Sequence, residues 1–198
     1  EGFLMQKTTF PVEILIHDDA STDNTARIVR EYEQKYPQLI KPIYQLENQH
    51  SKRDGTIGRI QKGRAKGKYY ATCEGDDYWI DPLKLQKQVD FMESNPDYGL
   101  VHSYFKYVDS LGKEIKTPNI EPYKGLRSRI VDGYIFDYYL RNYPFIMTCT
   151  VCYRKSLVDP DEQTILDNGL FMSLARKSKV YCIREEMSSY RYSVGIST

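Results

Sequence analysis

The chain has one Trp and three His in 198 residues, and no uninterrupted run of about 18 apolar residues. A membrane-spanning helix needs such a run, so none is coded here. The opening EGFLMQKTTF lacks the basic start and apolar core of a secretory signal. Neither sign of charge is in excess: 28 Lys and Arg face 27 Asp and Glu, for a net charge of +1. That balance gives no electrostatic case for nucleic acid as a partner. Cysteine is also sparse. Cys149 and Cys152 form one CxxC, but Cys73 and Cys182 stand alone, and a structural zinc site usually needs a second matched pair. Buried free thiols are the expectation. His17, His50 and His102 are scattered and read as structural. No repeat or low-complexity stretch occurs. The expected class is a soluble intracellular protein, one domain or slightly more in size.

What the chain does have is aromatic side chains, with 18 Tyr and 7 Phe, and a regular order of elements. Residues 12–17 (VEILIH) are a short β-type apolar run, which predicts a buried strand ending at Asp18-Asp19. Ser21, Thr22 and Asp23 offer caps to a helix whose apolar positions include Ile28, Val29 and Tyr32, closed by Pro37. Residues 40–46 read as a second strand. A third, at residues 69–73, ends in Glu74-Gly75-Asp76-Asp77. Asp81-Pro82 opens a helix that carries Leu85, Val89 and Met92. Beyond it, strands are expected at 100–108, 114–117, 146–154 and 180–183, with helices at 133–143 and 170–177. The alternation predicts an α/β fold, mainly parallel at its heart.

In an open α/β sheet, ligands bind beyond the carboxyl ends of the strands. Two predicted strands end there in paired aspartates, Asp18-Asp19 and Asp76-Asp77. Carboxylates so placed suit a hard cation, and Mg²⁺ typically takes one or two of them together with substrate phosphates. The competing reading is that such pairs cap helices or form turns. Residues 52–68 hold seven basic side chains and one acidic. They form either a diphosphate clamp, with Arg53 or Arg59 as the contact, or a solvated helix face. Their glycines follow neither a P-loop nor a dinucleotide fingerprint.

The stretch HDDASTDNT (17–25) resembles the DDxSxDxT motif of family-2 glycosyltransferases. AKGKYYATCEGDDYWIDPLKLQKQVDFME (65–93) resembles the segment of those enzymes that carries the DxD-type metal motif. The separation of Asp19 from Asp77 fits the same family. The resemblance covers most of the chain. It implies a GT-A-like, mixed and mainly parallel sheet flanked by helices, and sugar transfer from a nucleoside diphosphate sugar with inversion.

Carried over by position, it implies that Asp19 contacts base or ribose, that Asp76 lies near ribose and sugar, and that Asp77 ligates Mn²⁺ or Mg²⁺. Trp79 shapes the sugar pocket or belongs to the core. Leu166-Asp167-Asn168 resembles the segment with the catalytic base, which makes Asp167 the candidate; the alternative is a helix N-cap. The tail SSYRYSVGIST resembles a closing segment reading YRxHxxG, with Ser193 where the histidine would stand. Family members open with a central strand, whereas EGFLMQ resembles the end of the helix that follows it.

The expectation is therefore one catalytic domain over 1–198. Residues 1–99 form the nucleotide-sugar half, without that first strand, and 100–198 the acceptor half. A UDP-sugar is the favoured donor and a glycan or lipid-linked hydroxyl the acceptor, in surface polysaccharide or glycan synthesis. The location would be cytoplasmic, with room for peripheral association at the inner membrane face. Two rivals are kept: a nucleotidyltransferase, and a nucleotide-sugar-binding module without turnover.

Overall fold

The computed structural model describes residues 1–52, 54–116, 125–142, 146–159 and 167–192. Arg53, Leu166, Ser193 and Thr117, the last residue of the expected 114–117 strand, lie outside the described residues.

Strand β1 (Ile14–Asp18) pairs in parallel with β2 (Ile40–Tyr44), joined by helix α1 (Thr25–Lys35). This is the βαβ unit that apolar strands flanking an amphipathic helix favour. As expected, Asp23 serves the helix start: its Oδ1 accepts the Thr25 N–H at 2.8 Å, and those hydrogen bonds hold its pKa below the usual value. Helix α2 (Thr56–Arg64) then lies along the free edge of β1. Gln61 donates to the Leu15 carbonyl at 3.2 Å, and Arg64 bridges to the carbonyl of Lys41.

A second sheet has the order β3-β6-β5-β7-β4, formed by β3 (Tyr69–Ala71), β4 (Tyr78–Trp79), β5 (Tyr98–Val108), β6 (Cys152–Arg154) and β7 (Lys179–Arg191). Its longest ladder, β5 with β7, is parallel, and the three short ladders are antiparallel. The fold is thus mixed α/β. Strands β1 and β3 belong to different sheets and do not pair. Gly99 lets β5 approach its neighbours closely, since a Cβ there would meet Leu157 Cδ1 and Ser178 Oγ at 2.2 Å.

Helix α3 (Lys84–Ser94) covers one face of this sheet, with Val89 and Met92 against Val101 and Cys152. Helices α4 (Phe136–Asn142) and α5 (Asp167–Lys177) cover another part of the core, where Tyr139, Phe171 and Leu174 meet Leu100, Val151 and Val180. Burying a side chain of this size contributes about 1.5–3 kcal/mol each.

Several boundaries differ from the sequence reading. The 146–154 strand is broken by a 3₁₀ turn at Thr148–Thr150, and only Cys152–Arg154 remains extended. The last strand runs on from Ile183 to Arg191, across bulges where β5 steps from Ser103 to Tyr104 while β7 steps from Ile183 to Glu186. The 114–117 strand is reduced to an isolated bridge between Val108 and Glu114. The opening residues form a turn that packs Phe3 against Trp79. Among the described residues, no helix is long and apolar enough to cross a membrane.

Candidate active site

Strand β3 ends at Ala71, and the chain then turns through Glu74 to Asp77, closed by the Asp77 N–H donating to the Glu74 carbonyl. Asp77 is buried, at 8% exposure. Its Oδ1 accepts the main-chain N–H of Arg191 at 2.8 Å, while Oδ2 is buried with no hydrogen-bond partner. Burial raises the Asp77 pKa, opposed first by the Arg191 N–H and then by the nearby Cys149 thiol, a weak donor that makes no hydrogen bond of normal geometry to Oδ2. An ionised oxygen hidden without a donor is costly, and a cation beside it removes that cost. The Asp77 side chain therefore fits a divalent metal. Among the described residues no cluster of three His, Cys, Asp or Glu forms a ready cage.

The Arg191 side chain secures the same turn. Its Nε donates to the Asp76 carbonyl at 2.8 Å, and Nη1 reaches the carbonyls of Asp109 (3.0 Å) and Ser110 (2.8 Å). One guanidinium thus ties the acidic turn, the end of β5 and the end of β7 together.

Asp167 begins α5. The Thr148 hydroxyl donates to Asp167 Oδ2 at 2.5 Å. Thr148 is delivered by the 3₁₀ turn that breaks the expected strand. Glu74, Ile146, Met147, Thr148, Asp167, Asn168 and Tyr190 line a pocket of about 160 Å³. Burial, with the negative charges of Asp167, Asp77 and Asp76, pushes the Glu74 pKa up to about 7. Sites remote in sequence, at 74–77 and 167, therefore share one electrostatic field. Glu74 was passed over in the sequence because the pair that follows it drew the reading; its position at a strand end, two residues before Asp76, was the available signal.

At the end of β1, Asp19 takes a different role from a side chain open to a ligand. Its Oδ1 accepts the Gln49 N–H at 2.8 Å and Oδ2 the His50 N–H at 2.9 Å, which caps the 3₁₀ turn His50–Lys52. Ala20, which follows, has φ 60°, a left-handed backbone rare for a residue with a side chain. Asp18 Oδ1 and both ring nitrogens of His17 are buried without hydrogen-bond partners, His17 Nε2 lying 3.8 Å from Asp19 Oδ1. Sequence reasoning gave neither residue a separate role.

Two further candidates bond their polar atoms within the fold. Trp79 is a core residue: it is 5% exposed, its indole N–H donates to the Cys149 carbonyl at 2.9 Å, and Lys84 Nζ lies 4.4 Å from its ring. Its polar atom is used inside the fold, so a sugar-pocket role for it is not supported by the packing. Arg59 binds its own helix start, through the Asp54 carbonyl at 2.6 Å and Thr56 Oγ1 at 2.8 Å. Arg53, the other clamp candidate, lies outside the described residues. The four cysteines are free thiols, and Cys149 and Cys152 fall in different elements.

This mixed α/β architecture, with carboxylates gathered beyond β3 and at the start of α5, is similar to the GT-A-type fold of solved glycosyltransferases. The chain belongs to glycosyl transferase family 2, whose model matches residues 2–160. An uncharacterized protein of Mycobacterium tuberculosis H37Rv is 37% identical over 196 residues, which is 96% of this chain and 53% of that protein. The Escherichia coli UDP-Glc:alpha-D-GlcNAc-diphosphoundecaprenol beta-1,3-glucosyltransferase WfaP is 29% identical over 101 residues, 51% of this chain and 38% of its own length. In fold, the chain is similar to a mannosyltransferase of Pyrobaculum calidifontis solved with GDP-Man and Mn²⁺, with a TM-score of 0.66 at 13% identity, covering 98% of this chain and 52% of that one. The chain spans about half the length of the curated relatives it matches first.

Proposed function

We propose that this chain carries the transfer centre of an inverting, metal-dependent glycosyltransferase that moves a sugar from a nucleoside diphosphate sugar to an acceptor hydroxyl. The observation that carries this reading is the buried, unpartnered Oδ2 of Asp77, in the same field of charge as Glu74 and Asp167. Asp77 would hold Mn²⁺ or Mg²⁺, with the donor's phosphates supplying further ligands. When bound, such a cation offsets charge on the departing diphosphate. Asp76 faces the donor from the same turn, and Asp19 shapes the base and ribose end by fixing the loop at 48–52. Asp167 accepts the proton of the acceptor hydroxyl as its oxygen bonds to the anomeric carbon and the bond to the diphosphate oxygen breaks. Thr148 holds one Asp167 oxygen and so orients the other.

The names of similar proteins support the donor class: that of one includes UDP-Glc with a diphosphoundecaprenol-linked sugar, and a structural neighbour was solved with GDP-Man and Mn²⁺. A UDP-sugar donor and a glycan or lipid-linked acceptor follow as the favoured pair, in polysaccharide synthesis. A lipid-linked acceptor would bring the enzyme to the cytoplasmic face of a membrane.

The test is a thermal-shift screen of UDP, GDP and CDP, each with Mn²⁺ and with EDTA. A ligand that binds only the folded state raises its melting temperature. A rise for one nucleoside diphosphate that needs Mn²⁺ is the expected result. No shift with any nucleotide, in a folded protein, would overturn the donor assignment.

A further inference from the structure

We infer that Thr72, on the segment that leaves β3 for the acidic turn, is a positioning residue for the base: it holds the main chain of Thr148 and, through Thr148, aims the Asp167 carboxylate. The inference rests on the transferase reading and deepens it.

Buried carbonyls need donors, and a single 3₁₀ turn supplies few of its own. At Thr148–Thr150 three consecutive carbonyls are met by side chains from other parts of the fold. The Cys149 carbonyl accepts the Trp79 indole N–H at 2.9 Å and the Ser188 hydroxyl at 2.7 Å. The Thr150 carbonyl accepts the Gln88 amide at 2.8 Å. Trp79, Ser188 and Gln88 are all buried, so they grip the turn from the core.

The Thr148 carbonyl is held from a different quarter. Thr72 Oγ1 donates to it at 3.1 Å, while the main-chain N–H of Val151 reaches it only at 3.5 Å. Thr72 supplies the shorter bond, from a half-buried position 76 residues away in sequence. The peptide it holds belongs to the residue whose hydroxyl donates to Asp167 Oδ2 at 2.5 Å. A β-branched side chain has few rotamers open to it, so fixing the main chain of Thr148 narrows where its hydroxyl can point. The relay runs from the Thr72 hydroxyl to the Thr148 carbonyl, and from the Thr148 hydroxyl to Asp167.

Its placement gives the relay a function beyond packing. Thr72 stands between the end of β3 at Ala71 and the acidic turn at 74–77, whereas Asp167 opens α5. One hydroxyl thereby ties the donor side of the site to the acceptor side. Displacing reacting groups by about 1 Å can cost about 10²-fold in rate. With Trp79, Ser188 and Gln88 still in place, loss of the Thr72 bond should cost less, about fivefold, the order of one hydrogen bond.

The test uses Thr72→Val, which keeps the shape and removes the hydroxyl, beside Thr72→Ser, which keeps the hydroxyl. Thr72→Ala serves as the hydroxyl-free variant if Thr72→Val does not fold. In crystal structures, the hydroxyl-free variant should show Thr148 Oγ1 moved beyond hydrogen-bonding range of Asp167 Oδ2, and Thr72→Ser should keep that contact. Turnover is followed as UDP released from UDP-glucose with Mn²⁺, water and methyl β-glucoside being the acceptors. Thr72→Val should lower kcat about fivefold and Thr72→Ser should restore it, with UDP–Mn²⁺ affinity equal to the parent's by calorimetry. In a Thr148→Val background the same substitution should have no further effect, because the side chain through which Thr72 acts is gone.

An unmoved Thr148–Asp167 contact, or an unchanged kcat, in the hydroxyl-free variant would overturn the inference. So would an equal loss of kcat in the Thr148→Val background, or a fall in UDP–Mn²⁺ affinity that matches the fall in kcat and places the effect on the acidic turn. A parent that releases no UDP with either acceptor counts against the transferase reading, while the crystal structures still decide whether Thr72 aims Asp167.

Discussion

The main-chain N–H of Arg191 donates to Oδ1 of Asp77 at 2.8 Å, and the same residue's guanidinium holds the carbonyl of Asp76 at 2.8 Å. The end of the last strand is thereby the support for the acidic turn. The backbone contact survives any substitution other than proline, but the side-chain contacts to Asp76, Asp109 and Ser110 require a forked donor. Arg191→Lys keeps the charge and loses the fork. Supporting contacts around metal sites are typically worth about 10–100-fold in affinity. Titration calorimetry should show Mn²⁺-dependent UDP affinity lowered by about tenfold in Arg191→Lys, with metal-free UDP affinity little changed. Equal loss in both conditions would place Arg191 in nucleotide binding instead.

Asp77 Oδ2 is the oxygen of the acidic turn that is buried without a hydrogen-bond partner, which makes Asp77 the residue to test for metal. Asp77→Ala should make UDP affinity the same with Mn²⁺ as with EDTA. Asp77→Asn keeps the volume and the Arg191 N–H bond, and should lose the metal effect as well. Burial raises the pKa of Asp77, so protons compete with metal at higher pH than for an ordinary carboxylate. Mn²⁺ affinity in the parent should therefore decline on mild acidification. A flat profile down to the ordinary carboxylate range would contradict the assignment.

Lys84 gives a prediction about stability. It is fully buried in α3; its Nζ donates to Gln88 Oε1 at 2.8 Å and lies over the Trp79 ring. Burial lowers its pKa from 10.5 to about 8. In the unfolded chain the amine returns to its ordinary value, so between about pH 8 and 10.5 the unfolded state binds more protons. Stability linked to this group must then rise with pH across that window and level off below it. Lys84→Met should remove that rise. Urea unfolding of parent and variant at pH 7.5, 9 and 10 provides the check, and parallel curves would show that Lys84 does not titrate in this way.

Much of the fold was legible because short strands and amphipathic helices leave a periodic trace. Ile14, Val29, Leu85 and Val89 fell where that trace put them in the core. The 3₁₀ turn at Thr148 left no such trace: residues 146–154 are β-type throughout, and tertiary contacts overrode local preference. The long run of β7 to Arg191 was hidden because its bulges break the alternation of polar and apolar side chains. In the site, the paired aspartates pointed to the turn that buries Asp77. The role of Arg191 depends on contacts spanning about 80 to 115 positions, which no local pattern reports. Trp79 was ambiguous in sequence because an aromatic beside a ligand and an aromatic in a core look alike until its N–H partner is known.

The last prediction concerns the Asp167 carboxylate. It opens α5 and lines the same pocket as Glu74. The Thr148 hydroxyl fixes Oδ2 at 2.5 Å, which leaves Oδ1 to receive a proton. Asp167→Asn preserves shape and the Thr148 contact while removing the base. Loss of a general base costs about 10²–10⁴-fold in rate. Sugar transfer from the active donor should fall by about that factor, with UDP and Mn²⁺ binding unchanged by calorimetry. Thr148→Val should lower transfer less, because the carboxylate remains and only its orientation is released. Near-parent transfer by Asp167→Asn would reduce Asp167 to a helix cap and return the search for the base to Glu74.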